Sequence, residues 1–240
     1  MQFDMKKYIL TASFLAILGV EMRAQTINYG GFFPTIDHAG KISSRINYSL
    51  YYFGQYLMAN SNKEKPQLFA FFGEQALSYQ LNTQLSFTGS YVFEHQKPYS
   101  SFTRYENRFY LQSTYNYKVN ETFVKQRLRF DGRFIKNNIT KESPFTSRIR
   151  YLVGFKKNFK NENFYLSGYN EFFFNTYKSA TNIFDENWMY LGIGKKINTN
   201  NNLEIGPLYI FWITNQQNDF KNFLHLQLTW VSNLDFTKKQ

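Results

Sequence analysis

The segment Val124-Lys125-Gln126-Arg127-Leu128-Arg129-Phe130-Asp131-Gly132-Arg133-Phe134 decides the fold, because charged and apolar side chains alternate along it. Successive side chains of a β-strand point to opposite faces of the sheet. As a strand, the segment has one charged face and one apolar face. A water-soluble β-sandwich would not usually hide so many charges. A closed membrane barrel satisfies both faces, because the apolar face meets lipid and the charged face lines the interior.

The same alternation recurs from about residue 42 to residue 236 and predicts an all-β, antiparallel up-and-down transmembrane barrel of about ten strands. Each segment is long enough for a tilted membrane strand of about 9–11 residues. The predicted strands lie near 42–57, 67–80, 83–94, 102–117, 121–134, 146–158, 162–175, 187–197, 202–214 and 222–234. The stretch from Tyr29 to Ile36 is a candidate extra strand, and with one more missed strand the barrel would have twelve.

The connections between these strands alternate in length. The short ones are each centred on an asparagine, which tolerates the left-handed backbone of tight turns. They lie at 81–83, 119–121, 160–162 and 199–201, whereas the long ones span 59–66, 95–101, 137–144, 177–186 and 215–219. Bacterial outer-membrane barrels have short periplasmic turns and longer external loops. We therefore expect the long connections to face outward and both termini of a ten-stranded chain to lie in the periplasm.

Residues 1–24 are predicted to be a signal peptide, and residues 25–240 the barrel domain. Lys6 and Lys7 precede an apolar run, 8–20, and a cleavage site after Ala24. The run is shorter than the roughly 20 residues of a membrane-spanning helix. Met5 is an alternative start to Met1. Export and barrel pattern together predict the outer membrane of a Gram-negative bacterium.

The composition supports an exported barrel. Aromatic residues make up 20% of the chain although its mean hydropathy is −0.49, as expected when only alternate residues face lipid and aromatics gather at the interfaces. The mature chain keeps 25 of the 28 Lys and Arg and 15 of the 17 Asp and Glu. This basic balance suits anionic lipid headgroups or an anionic solute. Export makes nucleic acid an unlikely partner.

The alternation places fifteen charged side chains in the predicted interior. These are Arg45, Glu74, Glu94, Arg104, Glu106, Arg108, Lys125, Arg127, Arg129, Asp131, Arg133, Arg148, Arg150, Glu171 and Glu204. A barrel of eight to ten strands is narrow enough for side chains to fill it, and buried charges persist when they are paired. We therefore predict a salt-bridged lumen, with a narrow anion-selective pore or transporter as the alternative. Arginine at nearly every basic position favours bidentate pairing with carboxylates.

Five motifs can be read together along the chain. They are Tyr105-Glu106-Asn107-Arg108, Arg127 to Phe134, Arg148-Ile149-Arg150-Tyr151, Tyr169 to Asn175, and Phe184-Asp185-Glu186-Asn187 through Gly192-Ile193-Gly194. In order and spacing they resemble the domain of unknown function 2490 family of outer-membrane barrels, over nearly the whole mature chain. The resemblance implies a barrel and supplies no reaction, because that family is uncharacterised. Asp131 and Trp188 stand where the resemblance leads us to expect Glu and Arg, and Trp188 removes one inward cation.

Three histidines are the candidates for catalysis, in an outer-membrane hydrolase or acyltransferase. His95 could approach Asp185 or Glu186 as an acid/base pair, and His225 could meet Ser43 or Ser49 if the first and last predicted strands pair. His38 lies in a turn-like stretch. Motifs such as G-x-S-x-G and H-E-x-x-H do not occur in the sequence. We therefore expect no enzyme activity.

We expect no metal and no cofactor. The chain contains no cysteine and no histidine pair with ligand spacing. The expected partners are outer-membrane lipid, lipopolysaccharide and, during biogenesis, the barrel-assembly machinery. Phe236 resembles the C-terminal aromatic signal that this machinery reads. The long loops are candidates for binding an external partner. The pattern does not identify a ligand.

Overall fold

The computed structural model describes residues 26–62, 65–97, 103–137, 139, 141–160, 163–178, 182–214 and 219–237. They form eleven strands: β1 Thr26–Lys41, β2 Ile46–Asn60, β3 Gln67–Gln80, β4 Leu85–Gln96, β5 Arg104–Val119, β6 Thr122–Asn137, β7 Phe145–Asn158, β8 Phe164–Tyr177, β9 Phe184–Lys196, β10 Asn201–Ile213 and β11 Phe220–Asp235. No helix long and apolar enough to cross a membrane occurs in these ranges. The predicted signal peptide, residues 1–24, lies outside them.

The all-β barrel prediction is confirmed, and all ten predicted strands are present as β2 to β11. The eleventh strand is β1, which contains the candidate stretch Tyr29 to Ile36. Its alternation is interrupted by Gly30, Gly31 and Pro34. These residues are disfavoured inside strands, since glycine is flexible and proline cannot donate to the ladder. Only the closure of the sheet shows that the segment must be a strand.

The sheet closes between its first and last strands, which are parallel. Every other neighbouring pair is antiparallel and follows chain order. In an up-and-down sheet successive strands reverse direction, so the first and last strands of an odd set run the same way. The parallel register extends from Thr26 opposite Phe220 to Lys41 opposite Asp235. Closure leaves the described sheet without an edge on which another chain could pair.

The connections form two rims. The short-turn rim is the end of the barrel where β1 is joined to β2, β3 to β4, β5 to β6, β7 to β8 and β9 to β10. The long-loop rim is the other end, where β2 is joined to β3, β4 to β5, β6 to β7, β8 to β9 and β10 to β11. At the short-turn rim Asn120 has the left-handed φ of 54° that its turn requires. Because the strand number is odd, Thr26 lies at the long-loop rim and Asp235 at the short-turn rim. The prediction that both termini are periplasmic assumed an even number of strands. Which compartment each rim faces stays a prediction.

The outer face of the barrel is apolar all the way round. Each strand exposes at least one large apolar side chain: Phe32, Met58, Leu77, Phe87, Leu111, Leu128, Ile149, Phe164, Leu191, Ile205 and Leu224. Leu111 is 72% exposed and Leu77 is 61% exposed. The buried side chains point into the lumen instead. The fold thus turns the two-residue alternation into an apolar exterior and a mixed polar and aromatic interior.

The first prediction concerns the closing strand. A Cβ on Gly31 would lie 1.9 Å from the Tyr56 carbonyl oxygen of β2, whereas a Cβ on the neighbouring Gly30 would meet nothing nearer than 3.9 Å. We expect Gly31→Ala to lower the free energy of unfolding by about 1–3 kcal/mol through overpacking. The matched variant Gly30→Ala should stay near wild type. Urea unfolding of the barrel in detergent micelles measures both, and equal midpoints for the two variants would contradict the close approach of β1 to β2.

Candidate functional site

Twelve charged side chains of β4 to β9 form one connected ion-pair network in the lumen. Its contacts are 2.6 to 3.9 Å long. The members are Arg104, Arg108, Arg127, Arg133, Arg148 and Arg150, with Glu94, Glu106, Asp131, Glu171, Asp185 and Glu186. Six arginines thus meet six carboxylates, and the formal charge of the network is zero.

Glu106 is the most densely paired carboxylate of the network. Arg133 donates to it in bidentate fashion, Nε to Oε1 and Nη2 to Oε2, both at 2.7 Å. Arg108 donates from Nε to Oε1 at 2.8 Å. Arg108 and Arg133 are direct cross-strand neighbours on β5 and β6, an arrangement that is destabilising for like charges. The carboxylate between them therefore makes this register tolerable.

Asp131 occupies the middle of the network and is fully buried. Its Oδ2 accepts from Nε of Arg148 at 2.9 Å and lies 3.7 Å from Nη1 of Arg150 and 3.9 Å from Nη1 of Arg108. Glu171 extends the network on β8, because its Oε1 accepts from Arg150 at 2.7 Å and from Arg127 at 2.6 Å. Two carboxylates thus tie together four strands, β5 to β8.

A second, separate ion pair lies on the adjoining wall. Nη1 of Arg129 is 3.2 Å from Oε2 of Glu74, and the other carboxylate oxygen accepts from the Tyr110 hydroxyl at 2.5 Å. The guanidinium also donates to Gln112 at 2.8 Å and stacks 3.6 Å above the Tyr110 ring. This pair is neutral as well, so it adds no net charge to the lumen.

An aromatic cluster, which we define by Phe33, Phe53, Phe72, Phe173 and Trp188, lies next to the network in the lumen. Phe53 stacks on Phe33 and on Phe72, with ring centroids 4.4 and 4.5 Å apart. Trp188 packs against Phe33, Phe53 and Phe173 at 5.9, 6.2 and 5.6 Å. The cluster comes from β1, β2, β3, β8 and β9, so it bridges the closing seam.

The network and the aromatic cluster are in direct contact. The guanidinium carbons of Arg148 and Arg150 lie 4.8 and 4.4 Å from the Phe173 ring centroid, within the range of cation–π attraction. The indole N–H of Trp188 donates to Glu186 Oε2 at 2.9 Å. At the position where an arginine was expected, Trp188 thus joins the aromatic cluster with its ring and the network with its N–H.

A cavity of about 1400 Å³ runs beside these two groups. Its lining includes Lys41 and Asn47 at the short-turn end and Lys178 and Thr214 at the long-loop end. The paired and stacked side chains therefore occupy part of the lumen and leave a polar space next to them.

Twelve of the fifteen side chains predicted to lie in the lumen belong to the network or to the Arg129–Glu74 pair. Arg45 does not. It is exposed in the β1–β2 turn and donates to the Tyr79 hydroxyl at 2.9 Å, because β2 begins only at Ile46. Its assignment to the interior was wrong.

The two remaining predicted residues are in the lumen without an arginine or carboxylate partner. Glu204 accepts from the Tyr165 hydroxyl at 2.7 Å and from Ser167 at 3.1 Å. Lys125 faces the cavity and forms no ion pair within the part of the chain that the structure describes. Its charge acts across the lumen on Asp37 of β1.

Asp185 and Glu186 belong to the network but were assigned to a long loop. Glu186 Oε1 and Asp185 Oδ2 lie 3.3 and 3.9 Å from Nη1 of Arg148. β9 begins at Phe184, and a register shift opposite Phe173 and Phe174 turns both carboxylates inward. Trp188 and Tyr190 face inward. Extending their two-residue spacing back along the strand would have predicted that Glu186 also faces inward.

Among the described residues, the three histidines contact partners other than those predicted for catalysis. His95 lies on the outer face, where its ring stacks on Tyr105 with centroids 4.2 Å apart, while Asp185 and Glu186 face Arg148. His225 Nε2 lies 2.9 Å from the side-chain amide of Gln55. His38 bonds the Tyr48 hydroxyl at 2.7 Å.

The predicted seam between β2 and β11 is wrong, because β1 lies between these two strands. Ser49 is paired with Ala39 of β1, and His225 lies opposite Gly31 of the same strand. The serine and the histidine are thus on different neighbours of β1. Among the described residues, His, Asp and Glu do not gather into a group that could hold a metal ion.

Residues 31–221 match the family described as "Protein of unknown function (DUF2490)". The chain belongs to this family. The matched region begins inside β1 and ends at the start of β11, so it contains the complete ion-pair network and the aromatic cluster. No curated protein and no solved structure matches the chain.

The second prediction tests the network. Glu106→Gln removes the carboxylate between two opposed arginines, so it should lower the free energy of unfolding by about 3–5 kcal/mol, as expected for breaking a buried ion pair. Glu204→Gln is the matched control, because Glu204 has no arginine partner and its hydrogen bonds come from hydroxyl groups. Urea unfolding followed by tryptophan fluorescence compares them. Similar losses in both variants would show that the network does not stabilise the barrel.

Proposed function

We propose that the protein is an integral outer-membrane β-barrel without catalytic activity, whose lumen is closed to ions by the ion-pair network and the aromatic cluster. One observation carries the proposal: the closed sheet exposes large apolar side chains on every strand and buries its paired charges inside. Water would solvate that exterior poorly, whereas hydrocarbon would solvate it well. This is the distribution that the bilayer requires of a barrel.

Closure of the lumen is supported by its charge balance. Seven arginines face seven carboxylates in the network and the Arg129–Glu74 pair together. A selective anion pathway needs unpaired positive charge along its wall, and these arginines are already neutralised. Because removing one partner would leave a buried charge, the pairs also resist rearrangement.

A narrow anion passage is the second candidate, and one observation favours it. The cavity of about 1400 Å³ has lining residues at both rims, and Lys125 offers it a cation without an ion pair. If the side chains leave a continuous path, small anions would pass beside the network. The two candidates therefore differ in whether ions cross the bilayer.

The third prediction separates these candidates in a planar lipid bilayer. Purified protein should insert without stepped conductance, since the network and the aromatic cluster block the lumen. Steady anion-selective steps would instead establish the passage. In that case Lys125→Gln should lower the anion preference, whereas Lys136→Gln, on the outward-facing parity of β6, should leave it unchanged.

The fourth prediction concerns location and orientation. We expect the mature chain in the outer-membrane fraction, with the long-loop rim outside the cell. An epitope inserted between Lys141 and Glu142 should be stained on intact cells, whereas one inserted between Asn120 and Glu121 should be stained only after permeabilisation. The reverse staining pattern would overturn the orientation, and recovery of the mature chain in the soluble periplasmic fraction would overturn the membrane assignment.

Absence of catalysis is supported by the placement of the histidines. His225 lies against the Gln55 amide, and His95 lies against the Tyr105 ring on the outer face. Within the described part of the chain, neither is paired with a serine or carboxylate. The hydrolase or acyltransferase alternative needs such a pair. Binding of an external partner by the long connections remains part of the proposal.

A further inference from the structure

An apolar groove lies on the outer face of the barrel, separate from the cavity in the lumen. It has a volume of about 680 Å³ and lies across β3, β4, β5 and β6. Gly89 and Ser113 form its floor, and Leu77, Phe87, Leu111 and Leu128 are among the large side chains around it. Register explains the hollow, because Gly89 is paired with Leu77 and Leu111, and Ser113 with Phe87 and Leu128.

We propose that this groove holds one acyl chain of a phospholipid whose anionic headgroup is bound by Arg45. The proposal rests on the membrane location proposed above. Four strands spaced about 4.8 Å apart give the groove a width of about 14 Å or more across the wall. In a bilayer the medium in front of it would be hydrocarbon, so a lipid chain is the occupant that its position favours.

Arg45 provides the headgroup contact. It lies in the β1–β2 turn at the short-turn rim, and its Nη1 donates to the hydroxyl of Tyr79, a residue that lines the groove. Within the described ranges Arg45 forms no ion pair, which leaves guanidinium N–H groups for an anion. Arginine binds phosphate with two parallel hydrogen bonds. The groove and its cation are thus joined by one side chain, Tyr79.

Specific retention must come from shape and from this cation, because hydrocarbon gains nothing by transfer from lipid to an equally apolar wall. The floor supplies the shape. Atoms of a lipid chain can approach the backbone at Gly89 and Ser113, whereas a leucine or phenylalanine side chain would keep them further away. Close contact adds dispersion energy over many atoms. Arg45 then selects lipids that carry net negative charge.

Gly89 offers a clean way to fill the groove. A Cβ there would meet no atom nearer than Leu111 Cδ2 at 4.0 Å, so Gly89→Leu adds its side chain on the groove side without a clash at the Cβ. Gly30→Leu is the matched control. Gly30 also faces outward, and a Cβ there would lie 3.9 Å from its nearest atom, the Leu224 carbonyl oxygen. Gly30 lies on β1, away from the groove.

The experiment is native mass spectrometry of the full mature barrel. The protein is released from vesicles of phosphatidylcholine with a minor fraction of phosphatidylglycerol. We expect wild type and Gly30→Leu to retain one phosphatidylglycerol. Gly89→Leu should lose it, and Arg45→Gln should retain about tenfold less, as expected for one charge-assisted hydrogen-bonded contact. Vesicle flotation of every variant checks membrane insertion separately.

Equal retention by Gly89→Leu and wild type would overturn the lipid site, as would retention of both lipids in proportion to their abundance. A dimer that is lost in Gly89→Leu would assign the groove to a second copy of the chain and overturn the proposal. Failure of wild type to float with vesicles would instead refute the membrane location. Flotation without lipid retention refutes the groove alone, so the two failures are distinguishable.

Discussion

Closure of the sheet is the constraint on which the rest of the structure depends. The edge of an open sheet leaves a row of backbone N–H and C=O groups without partners. β1 removes the edge although Gly30, Gly31 and Pro34 make it a poor strand by composition. Gly31 allows β1 to lie close to β2, because the carbonyl of Tyr56 lies where a side chain would begin. Parallel pairing is the geometric consequence of an odd strand number.

The interior is packed in two different ways. On β4 to β9 arginines and carboxylates neutralise each other, and around the seam aromatic rings stack. Neither arrangement would suffice alone, since a ring of charges without apolar filling would admit water and weaken every pair. Phe173 and Trp188 join them, one through the faces of two guanidinium groups and the other through its N–H. Trp188 stands where an arginine was expected. Because it carries no charge, the network keeps six arginines for six carboxylates.

Alternation in the sequence was sufficient to predict the barrel, ten of its strands and most of the charged lumen, because a period of two determines the face of each residue. It could not predict which strands close the sheet, because the pairing of β1 with β11 is a property of the whole sheet. Errors arose where the period is interrupted or its starting point is unknown. Arg45 was counted into a strand that begins one residue later, and Glu186 was left in a loop because a register shift hides the continuation of its strand. Individual ion pairs depend on register between strands, which one strand's pattern does not contain.

The outer groove and the inner Arg129–Glu74 pair belong to the same part of the wall. Gln112, which accepts from Arg129 inside, is followed by Ser113, which forms the groove floor outside. Small outward residues remove packing from a strand, and a lone strand there would bend or slip. The hydrogen bonds and the ring stacking of Arg129 hold these strands from the inner side. A hollow on one face of a single-layer wall is thus tolerable where side chains on the other face fix the register, which is why the two features coincide.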